Sequence, residues 1–219
     1  SIASDSGSIG YLTDVSAFPN GFGVVGTQKG STGSAYARYD NALAYQTPTF
    51  GGLQAAAMYS FKANSQTDKT SRENSSFADR YAAAGLRYKA GKAAVVLAGD
   101  YTLYSNSTHA GLDNGYSVIL GGNYDFGVTK VFALAQYYQG VRKAAGWNLA
   151  DDIIDGLDYE LIAGEGTDGF KGYGLHLGSI TPIGGGDLTV AAYFQDGKLE
   201  NNYMRDVAES FDLDAQYVG

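Results

Sequence analysis

The sequence predicts an all-β protein: about nine strands of an antiparallel transmembrane β-barrel. Three observations predict this. Apolar and polar residues alternate over segments of about ten residues, the period of a strand and long enough for a tilted strand to cross a bilayer. Short Gly-bearing turns alternate with long polar loops. Gly and Tyr are abundant, with 31 and 18 of 219 residues, and interfacial aromatic belts use many Tyr.

The first hairpin, residues 37–62, shows the pattern most clearly. Leu43 and Tyr45 share one face of the strand, and Arg38 and Asp40 share the other. A Pro- and Gly-containing turn follows, and the alternation resumes as far as Lys62. Further strand pairs are predicted at 80–89 with 93–104, 115–126 with 130–139, and 171–182 with 188–195, and a ninth strand at 210–219.

Residues 1–36 are rich in Gly and Ser and lack sustained alternation, so they are predicted to be one long loop. A loop of this length is unusual unless it has a function. A mobile terminus is the alternative that the local sequence favours.

The energy of burying charge in lipid indicates which face of each strand meets water. A Lys or Arg at the bilayer midplane costs about 2–4 kcal/mol, so charged residues should face a wet interior. The residues that this argument places along the lumen are Arg38, Asp40, Lys62, Arg87, Lys89, Asp100, Lys130 and Asp212. In the strand at 130–139, Phe132 and Leu134 also fall on the wet face, so its register is the least well determined.

Composition excludes several classes of function. Cys is absent, so the chain has no disulfide or thiol nucleophile. The net charge of -8 argues against a nucleic-acid partner. The two His residues form no catalytic pair or metal cluster, so no enzyme activity, cofactor or metal is predicted. No apolar run is long enough for a transmembrane helix, and no signal peptide is predicted from the residues that follow Ser1.

Arg38 opens the stretch RYDNALAYQTPTFGGL, which resembles the strand and turn that follow the third loop of trimeric general porins, particularly those of β-proteobacteria. In that family an Arg opens the strand, a Tyr stands seven residues later, and a turn with an aromatic residue and Gly follows. Here these are Arg38, Tyr45 and Phe50-Gly51-Gly52. The segments AAGLRYKAGKAAVVLAGDY and LGSITPIGGGDLTVAAY resemble later hairpins of such porins.

The resemblance implies a single porin domain over 1–219, in which residues 1–36 are the loop that folds inward and narrows the barrel. Asp14 would be an acidic residue of the constriction and Arg38 a residue of its basic wall. The chain departs from the family, whose barrels have about 16 strands, and it lacks a terminal aromatic residue. These departures predict an internal piece of a longer porin. The resemblance also implies a homotrimer in contact with membrane lipid and lipopolysaccharide in the outer membrane of a Gram-negative bacterium.

The function predicted on this basis is a water-filled channel for passive diffusion of ions and small hydrophilic solutes. Two alternatives stay open on sequence alone. Isolated alternating strands fit a soluble β-sandwich or lectin-like binding module equally well. An outer-membrane enzyme would need Ser, His and Asp residues brought together from separate loops. For Arg38, an ordinary surface or lumen arginine and one half of a charged constriction are equally compatible with the local spacing.

Overall fold

The structure is a computed structural model that describes residues 14, 17, 40–63, 70–104, 114–141, 143–144, 147–148, 167–201 and 214–218. The alternating segments form strands with the following bounds: β1 Ala42–Gln46, β2 Leu53–Ser60, β3 Arg80–Ala90, β4 Ala93–Leu103, β5 Gly115–Asp125, β6 Lys130–Val141, β7 Lys143–Ala144, β8 Trp147–Asn148, β9 Thr167–Ile183, β10 Gly186–Asn201 and β11 Asp214–Val218. Among the described residues, no helix is long and apolar enough to cross a membrane.

The main sheet has nine strands in the order β1-β2-β3-β4-β5-β6-β9-β10-β11, and β7 and β8 form a separate small hairpin. Every neighbouring pair in the main sheet is antiparallel. The prediction of an antiparallel all-β chain with nine strands in the sheet is confirmed. Each strand pairs with the next one in the sheet, as a meander of hairpins requires.

Strands β9 and β10 are longer than predicted. They contain 17 and 16 residues and stay paired from Gly186↔Ile183 as far as Asn201↔Thr167, with a register irregularity at Glu200/Asn201. The predicted boundaries, which leave the polar residues beyond 171–182 and 188–195 in loops, are wrong. Pairing with a neighbouring strand outweighs weak local β-propensity here.

The turn before β2 fixes the first hairpin against β3. Gly52 has φ +87°, and a Cβ atom there would collide with the carbonyl oxygen of Lys89. The backbone N–H of Lys89 donates to the carbonyl of Gly52 over 2.9 Å. Only Gly satisfies both the positive φ and this close approach, so the turn holds the end of β3 in place.

One face of the sheet, here called the exposed face, carries large apolar residues that no other part of the described chain covers. It includes Leu120, Leu97 and Leu175, which are 54%, 46% and 48% exposed. Other members are Leu43, Tyr45, Leu53, Leu86, Tyr88, Val95, Tyr101, Val118, Tyr124, Tyr137, Tyr173, Leu177, Leu188 and Val190. Soluble monomeric proteins rarely expose a contiguous apolar surface of this extent. Such a surface marks a site of contact with a membrane or with a partner protein.

The opposite face, here called the covered face, holds the buried residues. Its centre is an apolar cluster that includes Val96, Ile119 and Leu134. Phe132 is buried nearby, so Phe132 and Leu134 do lie on the face to which alternation assigns them. The middle of this face is therefore apolar and buried, whereas the sequence argument assigned only its charged residues to water. Polar buried residues flank the cluster, among them Ser117 and Gln136.

Candidate functional site on the covered face

Five residues of the covered face lie in one transverse row near the short turns. Lys89 pairs with Ala94, Ala94 with Asn123, Asn123 with Phe132, and Phe132 with Gly178. This row, called the Lys89–Gly178 row, crosses β3, β4, β5, β6 and β9 in turn. Because paired residues of adjacent strands are side by side on the same face, side chains from distant parts of the sequence become neighbours.

Asp14 lies against one end of this row. Its Oδ1 is 2.8 Å from Nζ of Lys89, and its Oδ2 is 3.3 Å from Nη1 of Arg87. The Asp14 side chain is 7% exposed, whereas the side chains of Arg87 and Lys89 are 20% and 49% exposed. One enclosed carboxylate therefore binds two cations, and Lys89 keeps half of its surface open to solvent.

The two cations differ in how they are held. Nη2 of Arg87 donates to Oε1 of Gln54 on β2 in addition to its contact with Asp14. A guanidinium fixed by two side chains has a defined orientation, while an ammonium on a flexible stem moves more freely. With formal charges of +2 and -1, the cluster of Arg87, Lys89 and Asp14 presents net positive charge on the covered face.

The backbone around Asp14 is tied to the same row. Nδ2 of Asn123 donates to the carbonyl oxygen of Asp14 over 2.7 Å. Three residues further on, Ala17 is 2% exposed and lies beside Gly178. Two points of the predicted N-terminal loop thus contact the sheet along the Lys89–Gly178 row.

Asp40 and Lys62, two of the residues predicted along the lumen, lie at the end of the first hairpin that is opposite its short turn. The backbone carbonyl of Asp40 accepts a 2.6 Å hydrogen bond from Oγ of Ser60. Lys62 is buried, and its Nζ donates to the carbonyl of Ser71 over 2.6 Å. Hydrogen bonds thus join the segment from Ser71 to Asp79 to the chain that follows β2, where Lys62 is buried.

Asp100 and Lys130 both lie on the covered face, at opposite ends of the sheet. Oδ2 of Asp100 accepts a 2.7 Å hydrogen bond from Oγ of Ser117. Nζ of Lys130 lies 5.0 Å from the ring centroid of Phe132. Neither joins the cluster at Asp14. Arg38 and Asp212, the other two predicted pore residues, lie outside the described residues.

A family model described as "Gram-negative porin" matches residues 2–218 of this chain. The chain belongs to the Gram-negative porins. An outer membrane porin protein of Bordetella pertussis is 34% identical over 185 residues, covering 80% of this chain and 47% of the relative. The chain spans about half the length of this curated relative. The anion-selective porin from Comamonas acidovorans is 23% identical, with a TM-score of 0.45, covering 74% of this chain and 43% of that one.

Family membership explains why the two faces of this porin chain differ. The chain is an outer-membrane protein of a Gram-negative bacterium, and a face of exposed Leu, Val and Tyr residues is what a membrane-spanning β-barrel needs on its outside. In barrels of this kind the opposite, polar face lines the interior, and Arg87 and Lys89 lie on the covered face of this sheet. The soluble β-sandwich alternative is wrong, because that fold would bury the Leu and Tyr face against a second sheet.

Sequence reasoning missed three residues of this site: Gln54, Asn123 and Gly178. Alternation places Gln54 and Asn123 on the wet face, but an uncharged amide gives no reason to single either of them out. Gly178 differs in no visible way from the other 30 glycines of the chain. Among the described residues, no group of three or more potential metal ligands comes together.

Proposed function

We propose that the complete protein containing these 219 residues forms a water-filled channel for passive diffusion of ions and small hydrophilic solutes across the outer membrane. The observation that carries the proposal is the cluster of Arg87, Lys89 and Asp14 on the covered face. Fixed charges of both signs at the wall of a narrow pore create a local field that acts on passing ions. Family membership supports a channel rather than an enzyme.

In this proposal, residues 1–36 form the constricting loop and residues 37–219 supply strands and loops of a single barrel domain. The contacts of Asp14 and Ala17 with the Lys89–Gly178 row support this arrangement. Asp40, Lys62, Asp100, Lys130, Arg38 and Asp212 complete the charged residues along the interior. We also propose a homotrimer surrounded by membrane lipid and lipopolysaccharide, which the resemblance to trimeric general porins supports.

The test is single-channel recording of the complete protein in planar bilayers. Discrete conductance steps are expected for the wild type. Asp14→Asn removes the carboxylate but keeps the size of the side chain, so the net positive charge of the cluster rises and permeability should shift toward anions. Lys89→Gln should shift it toward cations, since one cation is lost. The effect of each variant should shrink at high salt, because ions screen fixed charges.

Asp187→Asn is the matched control for the loss of a negative charge. Asp187 is exposed beside the β9–β10 turn, and no ion pair with it occurs among the described residues. This variant should leave selectivity close to that of the wild type. Arg38→Ala should also change selectivity. Absence of conductance steps in the wild type, or selectivity that none of these interior variants alters, would contradict the proposed function.

A further inference from the structure

We propose that Gly178 sets the width of the pore by seating Ala17 of the inward-folded loop against the barrel wall. The inference rests on the proposed function, since it names a residue that adjusts the size of the same constriction. Gly178 is a positioning residue: it acts through Ala17 and does not itself contact the solute.

The geometry at Gly178 leaves little space beyond what Ala17 already occupies. A Cβ atom built on Gly178 would lie 3.0 Å from Cβ of Ala17 and 3.1 Å from Nε2 of His176. Ordinary contacts between carbon atoms are about 3.5–4.0 Å. Ala17 is 2% exposed, so little free space surrounds it, and an added Cβ would shift its neighbours by a few tenths of an ångström. Any side chain at position 178 therefore has to displace Ala17 or His176.

Contacts at Asp14 determine the direction in which Ala17 can move. Asp14 is held through its carboxylate by Arg87 and Lys89 and through its carbonyl by Asn123. Sliding along the wall would break these contacts. The remaining direction for Ala17 is away from β9, toward the barrel interior, which narrows the channel.

The experiment is a double-mutant cycle on single-channel conductance in the complete protein. Gly178→Ala should lower conductance, because the new Cβ pushes Ala17 into the lumen, and Gly178→Val should lower it further. Ion selectivity should change little, since no charge is altered. Ala17→Gly removes the methyl group that the new Cβ would meet, so the double variant Ala17→Gly/Gly178→Ala should recover conductance close to that of Ala17→Gly alone.

The control is Gly186→Ala in the same β9–β10 hairpin, where an added Cβ has its nearest neighbour 3.9 Å away, the carbonyl oxygen of Ile183. This variant should conduct like the wild type, and thermal unfolding should show that every variant is folded. If Gly178→Ala conducts like Gly186→Ala, or if Ala17→Gly fails to restore the loss, the inference is overturned. A wild type that forms no channels would instead overturn the proposed function.

Discussion

The exposed and covered faces of this sheet have the same alternating period but differ in how accessible their apolar residues are. Leu120 and Leu97 on the exposed face are about half accessible, while Leu134 and Val96 on the covered face are nearly inaccessible. Buried polar residues such as Gln136 and Ser117 also lie on the covered face. A continuous exposed face of Leu, Val and Tyr side chains is what distinguishes this sheet from that of an ordinary water-soluble protein.

Two kinds of apolar contact therefore stabilise one sheet. In the proposed barrel, residues of the exposed face contact lipid, which is fluid and adapts to a change in shape. Residues of the covered face contact other side chains, which are packed at high density and adapt only in part. The same substitution should consequently have different costs on the two faces, and matched variants on each face measure that difference.

The largest effect is expected for a truncation within the covered cluster. Leu134→Ala should destabilise the protein by about 3–5 kcal/mol, because it loses transfer free energy and also leaves a cavity. Leu120→Ala on the exposed face should cost about 2 kcal/mol, the transfer free energy of the removed carbons, since lipid fills the space. Equilibrium unfolding in urea with lipid vesicles measures both. Equal costs would show that the covered cluster is not packed as the structure describes.

A charge placed on the exposed face should have the next largest effect. Leu97→Arg puts a guanidinium in the middle of β4, where it should cost about 2–4 kcal/mol if that position faces the bilayer centre. Leu188→Arg is the matched control, since Leu188 is similarly exposed but lies beside the short β9–β10 turn. Near the interface the cost should fall to about 0–1 kcal/mol.

The Leu97 and Leu188 variants isolate the effect of depth in the bilayer. Both replace an exposed Leu by the same residue, so the chemistry of the substitution is identical. In a sheet exposed to water, neither variant would cost more than a surface substitution does, about 0.5 kcal/mol. A Leu97→Arg variant as stable as Leu188→Arg would show that the exposed face does not span the lipid.

Local sequence was sufficient to predict the nine strands of the main sheet and their faces, but not all of their bounds. Arg87, Lys89, Asp100 and Lys130 lie on the face that alternation assigns to them, since a strand has a side-chain period of two and a one-residue error would have put them on the opposite face. The boundaries of β9 were less accurate, since pairing with β10 extends it into a stretch that is polar and Gly-rich. Cross-strand pairing is a property of two segments and is not visible in either alone.

The candidate site depends on contacts that no local pattern encodes. Asp14 is 73 residues from Arg87 and 109 residues from Asn123 in sequence. The resemblance to porins singles out Asp14, but its partners were not identified from sequence, because alternation gives the face of Asn123 and not what approaches it. The close contact at Gly178 is likewise a product of the folded chain, where the absence of a side chain matters only because Ala17 lies above it.

The smallest loss of stability is expected for removal of the Tyr59 hydroxyl, which contacts the loop between β2 and β3. The hydroxyl of Tyr59 donates to Oδ1 of Asn74 over 2.9 Å, and its ring packs edge to face against Phe61 at 5.0 Å. Tyr59→Phe keeps the ring contact and removes one hydrogen bond, so it should cost about 0.5–1.5 kcal/mol. Urea unfolding of the complete protein in vesicles measures this loss.

Tyr88→Phe is the control for removal of a hydroxyl from the exposed face, since no hydrogen bond from Tyr88 occurs within the part of the chain that the structure describes. Its cost should be smaller than that of Tyr59→Phe. A double-mutant cycle with Asn74→Ala isolates the pairwise contribution, since Asn74 has φ +56° and its replacement by Ala also strains the backbone. A double variant that loses less than the sum of the two single losses would show that Tyr59 and Asn74 act as a pair. Additive losses would mean that the hydrogen bond of Tyr59 to Asn74 does not contribute to stability.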